Sequence, residues 1–140
     1  MAGRGGAACC LDTRMVARVR SGLVATIKGV APIFPVHDLS ASLAFYSSIG
    51  FTTRAYEGGG YGYATRDGIE IHLGMSSTNS TPAAAYLFVE DADEFAEMWH
   101  SAGAVVRAPV DTEWGKHEGV LVDPDGNVIR FGSAMRPTSK

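Results

Sequence analysis

Trp114 stands in the run Glu113-Trp114-Gly115-Lys116-His117-Glu118, where an indole, an imidazole and a carboxylate fall within one short stretch. Tyr56, Tyr61, Tyr63 and Tyr86, with the polar side chains His72 and Arg130, complete a set suited to holding a small molecule. Aromatic faces stack on planar rings, and a carboxylate attracts a cation held against such a face. The chemistry these types support is binding rather than bond-breaking. There is no G-x-S-x-G, no phosphate loop and no dinucleotide fingerprint, and Gly58-Gly59-Gly60 is not followed by a helix. Cys9 and Cys10 are adjacent, which provides neither a CxxC pair nor a disulfide framework. The sequence therefore assigns no catalytic residue.

Each candidate also has a plainer role. Trp114 is either a ligand wall or ordinary core at the start of a strand, with the two evenly balanced. His117 either touches a ligand or is a loop residue. Glu118 pairs with a cationic ligand or sits on a solvated strand edge, and His72 contacts a ligand or serves a hydrogen-bonded structural role. His37 belongs to a helix entrance, and His100 lies late in a helix, where a cation suits the dipole.

The elements that must position these residues follow from patterning. A chain of 140 residues with net charge -3 suits one domain. No apolar run is long enough to span a membrane, and a cytoplasmic location is the default expectation. In residues 1–28 the cations Arg4, Arg14, Arg18, Arg20 and Lys28 face Asp12 alone, whereas residues 29–134 are strongly acidic. The acidic body argues against nucleic acid and favours a cationic ligand, although such a surface also simply keeps a protein in solution. Residues 1–28 are Gly/Ala/Arg-rich without apolar period and are expected to be disordered or loosely attached. A transit peptide, or translation beginning at Met15, are further readings of that segment. Residues 135–140 are expected to be a tail.

From Gly29 onward the pattern reads as strand, helix and three strands, twice. Gly29–Val36 is a strand. A helix capped by Asp38 or Ser40 carries Leu39, Leu43 and Tyr46 on one face and stops at Gly50. Strands follow at Phe51–Tyr56, Tyr61–Arg66 and Ile69–Gly74, the last two joined at Asp67-Gly68. After a polar linker, Ala83–Val89 is a strand. Asp91–Ala102 is a helix with Phe95, Met98, Trp99 and Ala102 on its buried face. Ala104–Val106 is a short strand, Asp111–Lys116 a loop, and Val120–Val122 and Val128–Phe131 form a hairpin through Asp123-Pro124-Asp125-Gly126.

The two rounds are copies. Val36-His37-Asp38 and Gly50-Phe51 match Val89-Glu90-Asp91 and Gly103-Ala104 at an offset of 53. Asp67–Gly74 matches Asp125–Gly132 at an offset of 58, and the five extra residues fall in the loop that carries Trp114. Internal duplication predicts an α+β fold of tandem βαβββ modules, residues 29–75 and 83–134, whose curved mixed sheets form a cleft within one chain or across a dimer.

This pattern resembles the vicinal oxygen chelate superfamily, which includes glyoxalase I, extradiol dioxygenases, fosfomycin-resistance enzymes and bleomycin-resistance proteins. The resemblance covers residues 29–133. It rests on Val36-His37-Asp38-Leu39, Phe45-Tyr46, Ile49-Gly50-Phe51, Arg66-Asp67-Gly68 and Asp123-Pro124-Asp125-Gly126-Asn127. Glu113-Trp114-Gly115 before the last hairpin looks most like the bleomycin-binding branch. The resemblance implies a glyoxalase/bleomycin resistance fold and a homodimer whose halves are exchanged or closely paired, with a groove between subunits. In that groove Tyr56, Tyr61, Tyr63, Tyr86 and Trp114 would be walls and His72, His117, Glu118 and Arg130 polar partners.

Metal-using members carry ligands on the first and last strand of each module. Here those positions fall on Ala31, His72, Ala84 and Arg130. Alanine cannot ligate, and a guanidinium repels a divalent cation. The reading is therefore a metal-free binder without a cofactor, sequestering a bleomycin/phleomycin-type antibiotic. A metal-dependent lyase, isomerase or dioxygenase, or a metabolite-binding module with no drug ligand, are the alternatives.

Overall fold

The computed structural model describes residues 24–76 and 80–135. The chain divides into two compact units, Met1–Val30 and Ala31–Lys140. In the first, residues 24–30 are exposed and form no helix or strand. The expectations for residues 1–23 and 136–140 lie outside the described residues.

The second unit carries the duplicated architecture. Its first module is β1 (Ile33–Val36), α1 (Leu39–Ser48), β2 (Thr52–Ala55), β3 (Tyr61–Arg66) and β4 (Ile69–Met75). Its second is β5 (Ala84–Phe88), α2 (Ala92–Ser101), β6 (Val105–Asp111), β7 (Lys116–Val122) and β8 (Val128–Ala134). Each module folds into a mixed four-stranded sheet, ordered β1-β4-β3-β2 and β5-β8-β7-β6. The outer pairs β1–β4 and β5–β8 are parallel and the others antiparallel. Among the described residues the two sheets share no strand pairing, and β1 and β5 each stand at a sheet edge.

The helices start and stop where the sequence places caps. Asp38 Oδ1 accepts from the Ala41 N–H at 3.1 Å, and Asp91 Oδ1 from the Glu94 N–H at 3.2 Å. Gly50 and Gly103 follow with φ of +103° and +93°, a conformation that suits glycine. Several expectations need correction: β1 begins at Ile33 rather than Gly29, and β7 begins at Lys116 rather than Val120. Met98 is 42% exposed, and Ala92, Ala96 and Trp99 are the buried residues of α2. The third strand of the second module runs over Val105–Asp111 rather than ending at Val106. A bulge between Arg107 and Val110 restores its pairing past Pro109, which cannot donate to the ladder.

Strand alternation gives each sheet a helix-facing side and an open side. The helix-facing sides share one core, built from Phe34, Val36, Ile71 and Leu73 in the first module and Leu121, Ile129 and Phe131 in the second. Trp99 and Tyr46 fall on equivalent positions of the repeat, and both belong to this core. Trp99 Nε1 donates to the Ile49 carbonyl at 2.9 Å, and the Tyr46 hydroxyl donates to Asp123 Oδ2 at 2.8 Å. Burial first, and then the Asp123 carboxylate, push the Tyr46 phenol far above the usual tyrosine range, so it remains a neutral donor.

The Asp123–Asn127 turn is held from within. Asp123 Oδ1 accepts from the N–H groups of Asp125 and Asn127 at 2.9 and 2.8 Å. Asn127 is fully buried and ties three segments together. Its Oδ1 accepts from Ala83 N–H at 2.8 Å, and its Nδ2 donates to the Pro35 carbonyl at 2.9 Å and to Asp123 Oδ2 at 3.0 Å.

Candidate ligand-binding faces

The open side of the first sheet is set by β3 and β4. Gly62 and Ala64 face α1, so Tyr61 and Tyr63 point the other way, beside His72. The three rings meet edge to face, with centroids 5.1–5.7 Å apart. The Tyr61 hydroxyl lies 2.9 Å from His72 Nδ1, and Glu70 Oε1 lies 3.5 Å from His72 Nε2. Arg54, opposite Tyr63 on β2, sets its guanidinium 4.1 Å over the Tyr63 ring.

The open side of the second sheet carries Tyr86, Glu118, Arg130 and Phe88. Tyr86 and Arg130 are direct neighbours across β5 and β8, and Glu118 sits opposite Gly132. Gly132 is the reason these groups meet. Without a side chain there, the hydroxyl end of the Tyr86 ring lies against Gly132, close to Glu118. That hydroxyl is buried without closing a hydrogen bond of full geometry. Burial, and then the adjacent carboxylate, push it up to about 12. Arg130 Nη2 donates to Glu118 Oε1 at 3.2 Å. Burial alone would raise the Glu118 carboxyl, but polar contacts from Tyr86 and Trp114 and the Arg130 charge outweigh it and hold it low. Glu118 is thus an ionised carboxylate at 7% exposure, framed by two aromatic residues. Trp114 itself is 64% exposed in the turn before β7, which rules out the core role. Phe88 packs 5.0 Å from Tyr86, is 78% exposed, and has Lys116 Nζ 5.4 Å over its ring.

We expect Gly132→Ala to displace Tyr86, because the new Cβ would collide with its hydroxyl. Overpacking of this kind costs about 1–3 kcal/mol. A lowered urea midpoint, together with loss of the high tyrosine titration in an ultraviolet pH scan, would register it. A midpoint equal to that of the parent protein would refute this packing.

Seven of the nine sequence candidates therefore gather in two groups, Tyr61, Tyr63 and His72 on one sheet and Tyr86, Trp114, Glu118 and Arg130 on the other. Tyr56 lies just past β2, 52% exposed, with its ring against Gly58. His117 is placed elsewhere. Opposite parity from Glu118 turns it to the helix side, where Nε2 meets Asp93 Oδ1 at 2.9 Å and Nδ1 meets Asp111 Oδ1 at 2.8 Å. Arg54 and Phe88 were missed in the sequence, although alternation signals both. Phe88 follows Tyr86 by two positions on one strand, and Arg54 precedes Tyr56 by two.

The His117 clamp ties α2, β6 and β7 together. Its hydrogen bond to Asp93 raises the imidazole pKa, partial burial opposes this, and Asp111 adds to the rise. A histidine raised on folding stabilises fully below its unfolded value, about 6.5, and loses that contribution as pH rises through the folded value. The aspartates are half exposed or more, so the pairs contribute about 1 kcal/mol at most. We expect His117→Gln to lower Tm by about 4 °C near pH 5.5 and hardly at all near pH 9. Equal losses at both pH values would sink this assignment.

The four positions read for metal ligands are placed by the strands. Ala31 precedes β1, and Ala84 pairs with Val128. The residues beside His72 and Arg130 are Ile33 and Tyr86. Among the described residues no group of three or more His, Cys, Asp or Glu is placed to hold a metal ion. No described helix is long and apolar enough to cross a membrane.

Comparison with curated proteins gives no match. Among solved structures, the bleomycin resistance determinant encoded on transposon Tn5 superposes with a TM-score of 0.71 at 22% identity, covering 79% of this chain and 100% of that one. A bleomycin-binding protein complexed with bleomycin gives a TM-score of 0.68 at 24% identity, over 78% and 100% of the two chains. The bleomycin-binding protein from bleomycin-producing Streptomyces verticillus, complexed with copper(II)-bleomycin, gives 0.69 at 20% identity, over 80% and 100%. At these identities the likeness is one of fold. The sequence model of one family matches residues 26–131, most of the chain, and by that match the protein belongs to the Glyoxalase/Bleomycin resistance protein/Dioxygenase superfamily.

Proposed function

We propose that this protein is a metal-free binder that sequesters a small planar molecule bearing cationic groups, of the bleomycin/phleomycin class, and that it carries out no catalysis. The observation that carries this reading is the second sheet's open face. There a buried, ionised Glu118 lies between Tyr86 and the exposed Trp114, with Arg130 as a second polar partner. A cation against aromatic faces and a desolvated carboxylate is favourable on both counts. Arg130 would meet a carbonyl or anionic group of the same ligand. The fold of the bleomycin-binding proteins supports the ligand class.

Each chain presents two half-walls on separate sheets, and β1 and β5 each stand at a sheet edge. A homodimer that sets the Tyr61–Tyr63–His72 face against the Trp114–Glu118 face of a second copy would complete a groove. A metal-dependent enzyme of the superfamily is the second reading. It draws on His72 and Glu70, 3.5 Å apart on the first sheet, and needs a further ligand from another copy.

Titration of purified protein with bleomycin, followed by tryptophan fluorescence with and without EDTA, tests the proposal. Saturable quenching at micromolar affinity or tighter, about 8 kcal/mol of binding energy, unchanged by EDTA and lost in Trp114→Phe, is expected. No response up to about 1 mM drug would remove the antibiotic. Quenching that EDTA abolishes would restore the metal-dependent reading.

A further inference from the structure

Duplication creates two equivalent seams between the modules, and the structure closes only one. At the closed seam the β7–β8 turn docks on the first module. Asn127 Nδ2 donates to the Pro35 carbonyl at 2.9 Å, His37 Nδ1 meets Asp125 Oδ1 at 2.9 Å, and Tyr46 donates to Asp123. The offsets of the repeat identify the counterparts at the other seam. Asp67 and Ile69 of the β3–β4 turn stand where Asp125 and Asn127 do, and Phe88 and Glu90 stand where Pro35 and His37 do. Ile69 has no donor to offer the Phe88 carbonyl. The pair matching His37 and Asp125 is Glu90 and Asp67, two carboxylates that repel. Two of the three polar contacts that shut the first seam thus cannot form at the second, and there Trp99, the counterpart of Tyr46, donates to the Ile49 carbonyl instead.

The second seam stays open as a cavity of about 310 Å³. That is within the range of small-molecule sites. Phe51, Ile69, Leu87, Phe95 and Trp99 give it apolar and aromatic walls, and Arg66 supplies a cation. The Arg66 guanidinium lies 4.9 Å over the Phe95 ring and donates through Nε to Asp67 at 3.2 Å. No other hydrogen bond holds it among the described residues. Asp67 is 79% exposed on its side chain, so that pair is weakly held and leaves the guanidinium's terminal nitrogens to a ligand. A planar ring can lie among the aromatic walls while a carboxylate takes the fork of the guanidinium.

We infer that this open seam is a second binding site, for a small aromatic carboxylate. It borders the second sheet's open face at Tyr86 and Phe88, which also line it, but it reaches inward to its marker residue, Trp99, which is 1% exposed and lies in the core between the modules. Trp114 and Glu118 take no part in it.

Naphthalene-2-carboxylate and its neutral amide, naphthalene-2-carboxamide, are suitable probes on the full-length protein. The readout is the NMR signal of each indole N–H, assigned with Trp114→Phe. The acid should move the Trp99 signal saturably, leave the Trp114 signal in place, and bind at least about tenfold more tightly than the amide. Arg66→Met should erase that preference while the amide still binds, which also shows that the variant is folded. Ile69→Trp should fill the cavity and abolish binding of both. No saturation by about 10 mM, movement of Trp114 in place of Trp99, equal affinity for acid and amide, or a preference that survives Arg66→Met would each overturn the site. If Arg66→Met does not fold, the acid–amide comparison on the unaltered protein decides.

Discussion

Replacing Asn127 by Ala is expected to lower the unfolding free energy by about 3–5 kcal/mol. The side chain is fully buried and makes hydrogen bonds at 2.8, 2.9 and 3.0 Å to Ala83, Pro35 and Asp123. Truncation strands a donor on Ala83 and an acceptor on Pro35, and it takes a donor away from Asp123. Each stranded group costs about 1–3 kcal/mol when water cannot reach it. The loss should appear as a Tm lowered by about 10 °C or more and a urea midpoint shifted with little change in slope. A loss of about 1 kcal/mol or less would mean that water reaches this seam. The expectation is large because one amide serves three segments: the end of β1, the approach to β5 and the turn before β8.

Trp99→Ala should cost about 3–5 kcal/mol, a large share of the stability of a domain this size. The indole is 1% exposed and packs against Phe95 and Phe131 with centroids 5.1 and 5.0 Å away. It also crosses between modules through Nε1–H to the Ile49 carbonyl at 2.9 Å. Trp99→Phe keeps most of the apolar surface and loses the hydrogen bond, so about 1–2 kcal/mol is expected. Chemical denaturation of the two variants separates packing from hydrogen bonding. Equal losses for Ala and Phe would show that the hydrogen bond, rather than burial, dominates.

The open-face site was legible in the sequence through residue type and strand parity. Tyr61, Tyr63 and His72 fall together because alternation and the Asp67-Gly68 turn fix their register. Tyr86, Glu118 and Arg130 fall together for the same reason on the second sheet. His117 shows the limit of reading a loop by proximity. It neighbours Glu118 in sequence, but β7 begins at Lys116, so adjacent residues point to opposite sides. Pro32 and Pro35 leave few strand residues by which to align β1, and only pairing with β4 places Ile33 beside His72.

By itself the sequence determined the duplicated βαβββ order, the helix caps, the turn residues and the alternation that sorts each strand into a core side and an open side. These are local, set by backbone geometry and by periods of two or 3.6 residues. Tertiary structure alone decided how the copies meet. The closed seam depends on pairs such as Asn127 with Pro35, 92 positions apart, whose approach no local pattern encodes. The open seam depends on the same positions carrying Ile69 and Glu90, which cannot make those bonds. Symmetry in sequence was visible from the repeat, and its breaking appeared only when partners were brought within hydrogen-bond reach.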